Sequence, residues 1–152
     1  MDSIEIHKVI DRLRRLCSRR EYCMSDILKK AEGALDGNTE SAKEVLSVLV
    51  SEKYVDDLRY ATAYAREKAM ISGWGETKIR YMLSAKRIDR SLIDQALTEI
   101  DASRADSRLQ KLLENKAKSL KADPQIRLKL LRFALGRGYQ YDDVVRVLQD
   151  IL

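Results

Sequence analysis

Overlaid on itself at a shift of 51 residues, the chain brings Leu28, Ile79 and Leu130 into one column and Leu46, Leu97 and Leu148 into another. A third column, Asn38, Asp89 and Gln140, falls where a helix is expected to open in each third of the chain. Apolar coincidences are easy between amphipathic helices, so the matching breaks and caps carry the argument. A period of this size belongs to arrays of small helical units that bury their apolar faces jointly with their neighbours. The 152 residues therefore divide into expected units 1–53, 54–101 and 102–152. Each is marginal in isolation, because so short a chain buries too little of its surface.

Helical periodicity fills each third in the same order of long, short and medium helix. In the first, Ile6, Val9, Ile10, Leu13, Leu16 and Cys17 predict a helix over about 4–19. Ser25 is expected to cap a short helix through Lys30, which Gly33 and Gly37 close, and Ala42, Val45, Leu46 and Leu49 mark a helix ending near Lys53. In the second, Asp56 and Asp57 open a helix carrying Leu58, Ala61, Ala65 and Met70. After Ser72-Gly73-Trp74-Gly75, the segment Glu76 to Lys86 is expected to turn Ile79, Met82 and Leu83 inward. Asp89 then caps a helix with Ile93, Ala96, Leu97 and Ile100. In the third, Leu109, Leu112 and Leu113 mark a helix running to about Leu120. Asp123-Pro124 reads as a cap followed by the first helical residue. Ile126, Leu128, Leu130, Leu131, Phe133 and Leu135 follow as a strongly apolar helix up to Gly136-Arg137-Gly138, and Val144, Val147, Leu148 and Ile151 make the last. The expected fold is all-α: an elongated array of three tandem three-helix repeats, about nine helices in helix-turn-helix-like units.

Composition agrees with that class. One Pro and six Gly are too few for a turn-dense β fold, and 45% hydrophobic with 35% charged residues is globular rather than disordered. The N-terminus has no signal-peptide pattern and no apolar run approaches a membrane span, so a cytoplasmic protein is expected. Cys17 and Cys23 are expected as buried thiols in a reducing compartment.

Net charge is +5, and it is unevenly placed. Residues 1–51 and 52–101 each hold nine Lys/Arg and nine Asp/Glu, whereas residues 102–152 hold eleven against six. Arg104, Arg108, Lys111 and Lys118 are spaced to share one helical face, and Lys8, Arg12, Arg15 and Arg19 form a similar stripe on the first helix. Such stripes attract a phosphate backbone or an acidic protein groove. They are equally what a solvated helix face looks like, and Asp11, Glu21 and Asp26 neutralise part of the first one.

Candidates for catalysis fail on inspection. His7 is the only histidine, so no carboxylate–histidine–nucleophile set can be drawn, and with two cysteines it makes a poor zinc set. Asp56 and Asp57 are explained as helix-start residues. Gly73-Trp74-Gly75 lacks the pattern of a phosphate loop. Trp74 is either an anchor at a binding surface or a plug over a joint between helices. Tyr54, Tyr60, Tyr64 and Tyr81 are mostly core with a wet hydroxyl. No enzyme, cofactor or metal is expected.

The stretch Tyr54-Val55-Asp56-Asp57-Leu58-Arg59-Tyr60-Ala61, continued by Tyr64, Arg66, Gly73, Gly75, Ile79, Leu83 and Lys86-Arg87-Ile88, resembles the RecX family of bacterial regulators of the RecA recombinase. Leu16 to Tyr22 with Ser25, and Arg137-Gly138-Tyr139 with Val144, Val147 and Leu148, resemble two further segments of that family. Arg87 departs from the family's Gly in a Lys-Gly-Ile turn, which puts a φ > 0 conformation in question; Asp26-Ile27 replaces an acidic-Leu pair. The resemblance implies a non-enzymatic monomer that lies in the groove of the RecA–DNA filament. There it would inhibit strand exchange, ATP hydrolysis and co-protease activity. Under that reading Arg59, Arg66, Lys68, Trp74, Lys78, Arg80, Lys86 and Arg87 are the expected filament contacts. Arg12, Arg15, Arg19, Arg104, Arg108, Lys111 and Lys118 are the expected contacts to DNA or an acidic surface. A direct DNA binder of helix-turn-helix type and a generic helical scaffold are the alternatives.

Overall fold

The computed structural model describes residues 2–100 and 104–152. Among these residues there are nine α-helices and no strand: α1 (Ser3–Cys17), α2 (Met24–Ala34), α3 (Thr39–Ser51), α4 (Asp57–Met70), α5 (Glu76–Ala85), α6 (Arg90–Thr98), α7 (Ala105–Ala117), α8 (Ile126–Gly136) and α9 (Tyr141–Ile151). A short 3₁₀ turn, Lys118–Leu120, extends α7. None of the helices is long and apolar enough to cross a membrane.

The helices pack in threes around three apolar clusters. Val9, Ile10 and Leu13 of α1 meet Ile27 and Ala31 of α2 and Ala42, Val45 and Leu49 of α3. Ala61, Ala65, Ile79, Leu83, Ile93 and Ala96 fill the second cluster, and Leu109, Leu113, Leu130, Ala134, Val144 and Val147 the third. The medium helices overlay at the expected shift of 51: Ala42, Ile93 and Val144 are all fully buried, and Asn38, Asp89 and Gln140 are their N-caps. Only Asn38 caps with its side chain, accepting from the Ser41 amide at 3.0 Å.

The short helices do not overlay as the sequence suggests. Ile27, not Leu28, is the buried counterpart of Ile79 and Leu130. The cause lies in the α2–α3 turn, where Asp36 and Gly37 both have φ > 0; the two later turns contain a single such residue each, Arg87 and Gly138. The extra residue slips α2 by one position against its cap. Arg87 takes φ +60°, so the left-handed turn survives without glycine.

Several other expectations need correction. Cys23, not Ser25, is the N-cap of α2. Asp123 accepts from the Gln125 amide at 2.8 Å, but α8 itself starts two residues beyond Pro124. Tyr81 is 72% exposed, and Met82, Leu128 and Leu135 also reach solvent. Both cysteines are free; Cys17 is half-buried, and Cys23 is buried in the second cluster rather than the first.

Candidate functional site

Of the residues singled out from sequence, Arg59 and Lys86 lie at the first of the two joints between units, and Trp74 and Lys78 lie beside the second. Both joints are built the same way, with the N-terminus of one short helix set against the turn that ends the next. A helix N-terminus leaves amide donors without partners and a helix C-terminus leaves carbonyls, so ends of opposite sense satisfy each other and align their dipoles favourably.

At the first joint the stitching runs through side chains. The Met24 amide at the start of α2 donates to Asp57 at 2.8 Å, the Ser25 hydroxyl donates to the Lys86 carbonyl at 2.7 Å, and the Lys86 ammonium reaches Asp26 at 2.9 Å. Arg59 pairs with Glu21 and also donates to the Tyr54 carbonyl. Asp56 caps α4 as expected, accepting from the Arg59 amide at 3.0 Å. Asp57 instead caps a helix of the neighbouring unit. Burial pushes its carboxyl above the usual range despite the Met24 amide, with Asp56 adding repulsion. Burial also pushes Asp26 upward, but its hydrogen bonds from Lys86 and Cys23 outweigh that and leave it lowered.

At the second joint backbone meets backbone. The Gly75 amide donates to the Arg137 carbonyl at 2.7 Å and the Thr77 amide to the Gly138 carbonyl at 3.1 Å. A Cβ on Gly75 would lie 2.5 Å from the Gly138 carbonyl oxygen; one on Gly138 would lie 2.6 Å from the Lys78 amide nitrogen. Neither position admits a side chain unless the units part. Arg137 closes the joint by donating to the Ser72 carbonyl at 3.0 Å.

Trp74 sits half-buried beside this joint, edge-on to Tyr64 at 6.3 Å between ring centroids. The Lys78 and Lys68 ammoniums stand 4.4 and 4.9 Å from the centre of its ring. It is thus a partly covered plug whose lining is cationic. A cleft of about 290 Å³ opens beside it, lined among others by Glu76, Leu97, Arg108, Tyr139 and Asp143.

The expected contact residues fall into two groups. Arg59, Arg80 and Lys86 are committed to carboxylates, Arg80 to Asp94 and Glu76. Arg66 and Arg87 are exposed with no ion pair among the described residues, and Lys68, Trp74 and Lys78 form the cluster just described. Arg12, Arg15 and Arg19 lie exposed along α1 and just past its end. The second stripe does not run along one uninterrupted face. Arg104 precedes α7, Arg108 is half-buried beside Tyr139, Lys111 is exposed, and Lys118 falls in the 3₁₀ turn.

Sequence reasoning missed Arg137, Lys116, Phe133 and the lock of Gly75 on Gly138. The repeat contained the signal for part of this: Arg137 stands 51 residues after Lys86, and both residues close joints. Among the described residues no group of three or more His, Cys, Asp or Glu is arranged to hold a metal ion.

Comparison with known proteins gives a consistent answer. Residues 56–97 match the family model described as the second three-helix domain of RecX, and residues 105–148 the one described as the third. The regulatory protein RecX of Vibrio parahaemolyticus is 35% identical over 133 residues, covering 86% of this chain and 83% of the relative. The regulatory protein RecX of Clostridium tetani is 30% identical over 119 residues, of which the chain spans only 54% of the relative's length. The crystal structure of RecX from Lactobacillus salivarius superposes with a TM-score of 0.82 at 21% identity, covering 98% of this chain and 97% of that one. At that identity the structural likeness is one of fold.

Proposed function

The chain belongs to the RecX family, a family of regulatory proteins, and we propose that it is a non-enzymatic negative regulator of the RecA recombinase. In this reading it lies in the groove of the RecA–DNA filament in the cytoplasm and inhibits recombination, ATP hydrolysis and co-protease activity. The observation that supports it best is how the units are fastened. Helix end against turn, repeated at both joints, makes tandem units into one continuous surface. Such a surface can touch neighbouring subunits of a filament at once, which a single small domain cannot.

Ion pairing bears on which side chains are available for that contact. Arg59 and Lys86 tie the first two units together through Glu21 and Asp26, and Arg80 is held within the second unit by Asp94. Arg66, Lys68, Trp74, Lys78 and Arg87 are left to face the partner. A partly desolvated Trp among cations has the character of an interface anchor.

The helix-turn-helix reading fares worse. The outer face of α9, the recognition position of the last unit, exposes Asp142, Gln149 and Asp150, and its Arg146 is held by Asp106 and Asp143. An acidic outer face repels the phosphates that line either groove.

The test is a RecA ATPase assay on single-stranded DNA with the protein added. Inhibition well below one copy per recombinase subunit is expected, with Arg66→Glu and Arg87→Glu weakening it. Undiminished hydrolysis at equimolar protein would remove the proposal.

A further inference from the structure

The two joints are fastened by different chemistry, and the difference starts at two positions. Gly75 is the N-cap of α5 and Gly138 takes the left-handed turn after α8; at the first joint the same places hold Cys23 and Arg87. Without a Cβ at either position, backbone reaches backbone across the second joint. With side chains at both, the first joint holds its backbones apart, and among the described residues no backbone–backbone hydrogen bond crosses it. Each polar contact described there uses a side chain: Met24 to Asp57, Ser25 to Lys86, Lys86 to Asp26, and Arg59 to both Glu21 and Tyr54. Cys23 is the one residue of the first unit buried in the second apolar cluster.

The fastenings of the first joint are also open to solvent. The Lys86 and Arg59 side chains are 41% and 45% exposed, so water and salt reach both ion pairs. Pairs so placed are weak and are screened as ionic strength rises. The second joint holds through amides and carbonyls, which salt does not screen in that way.

The chain between the first two units supplies a pivot. The Tyr54 and Val55 amides both donate to the Leu49 carbonyl, at 2.9 and 3.3 Å, and Val55 is buried in the first cluster. The next helix, α4, begins at Asp57. Asp56, extended at φ −151° and ψ 108°, is the single residue between those two bodies. Turning its two soft dihedrals swings one unit against the other, as hinge residues at the ends of elements do.

We propose that the first unit is a hinged arm. It swings about Asp56 against a stiff block made of the second and third units, and the Lys86–Asp26 and Arg59–Glu21 pairs hold it closed. The motion belongs to the protein alone and needs no partner. An array with one stiff and one yielding joint follows a surface whose curvature changes, which a uniformly rigid array cannot.

Three amides report on the joints separately, because each is bonded across one of them: Met24 at the first, Gly75 and Thr77 at the second. Their hydrogen exchange is followed by nuclear magnetic resonance on the isotopically labelled full chain and corrected for intrinsic rates. Between about 0.1 and about 1 M sodium chloride, exchange at Met24 is expected to speed up about threefold to fivefold, with Gly75 and Thr77 unchanged. At the lower salt Lys86→Gln is expected to raise the Met24 rate in the same way. Arg146→Gln, whose partners Asp106 and Asp143 lie in the third unit, should leave it alone. Residual dipolar couplings in an uncharged alignment medium should give the second and third units one shared tensor, and the first a smaller one that shrinks further with salt. Helix chemical shifts outside the first joint show that each variant has folded, and the salt series on the unaltered chain decides the matter by itself. The hinge is overturned by Met24 exchange that ignores salt, by Gly75 and Thr77 rising in step with it, or by one tensor fitting all three units at both salts.

Discussion

Replacing Gly138 with alanine should part the second and third units. The residue has φ +95°, where a side chain costs about 1–2 kcal/mol. Its new Cβ would stand 2.6 Å from the Lys78 amide nitrogen and 3.0 Å from the Lys78 Cα. Those are backbone atoms inside α5 and cannot swing aside. Relief comes only by opening the joint, which gives up the Gly75–Arg137 and Thr77–Gly138 backbone bonds at about 1 kcal/mol each. The sum is about 3–4 kcal/mol, a large share of a typical domain stability of about 5–15 kcal/mol. With a urea slope of about 2 kcal/mol per molar, the unfolding midpoint should fall by about 1.5–2 M. Gly136→Ala is the control. Nothing lies within 4 Å of its added Cβ and helix propensity favours it, so its midpoint should hold or rise slightly. Urea melts followed by circular dichroism and by Trp74 emission read both variants. Equal midpoints for Gly138→Ala and Gly136→Ala would refute the lock.

Arg87→Gly should stabilise the protein by about 1 kcal/mol, since it relieves an L-residue at φ +60°; a thermal midpoint that does not rise would show the turn to be unstrained. Asp26 and Asp57 should have opposite pH signatures. The lowered carboxyl of Asp26 contributes stability above its ordinary 3.8 that is lost as pH falls below that value, so Asp26→Asn should flatten the acid limb of the stability curve. The raised carboxyl of Asp57 favours the folded state most when protonated, and that advantage fades as pH climbs above 3.8. Asp57→Asn keeps the acceptor for Met24 and should therefore gain on wild type as pH rises through the range just above 3.8. Denaturant midpoints taken across the carboxylate range check both signs.

Much of the fold was legible because the medium helices are tied to their caps. From Asn38, Asp89 and Gln140 onward the buried faces repeat at a fixed shift. The short helices were misregistered in the first unit because a left-handed pair, Asp36-Gly37, spends one more residue in its turn than Arg87 or Gly138 does. Periodicity counts residues and is blind to that difference. The joints were largely hidden for another reason. Met24 meets Asp57 across 33 residues and Ser25 meets Lys86 across 61, and no local pattern marks which helix end faces which turn. Arg59 and Lys86 read as free cations in sequence because their carboxylates, Glu21 and Asp26, belong to another unit. Trp74, expected from sequence as either a plug or an anchor, is half-buried at a joint with two ammoniums over its ring.

The most direct measurement of the central claim is cryo-microscopy of RecA–single-stranded-DNA filaments mixed with this protein. The account predicts added density along the filament groove, spanning adjacent subunits, with the face that bears Arg66, Trp74 and Arg87 turned towards RecA. Filaments whose groove is empty at saturating protein, or density confined to DNA outside the filament, would contradict it.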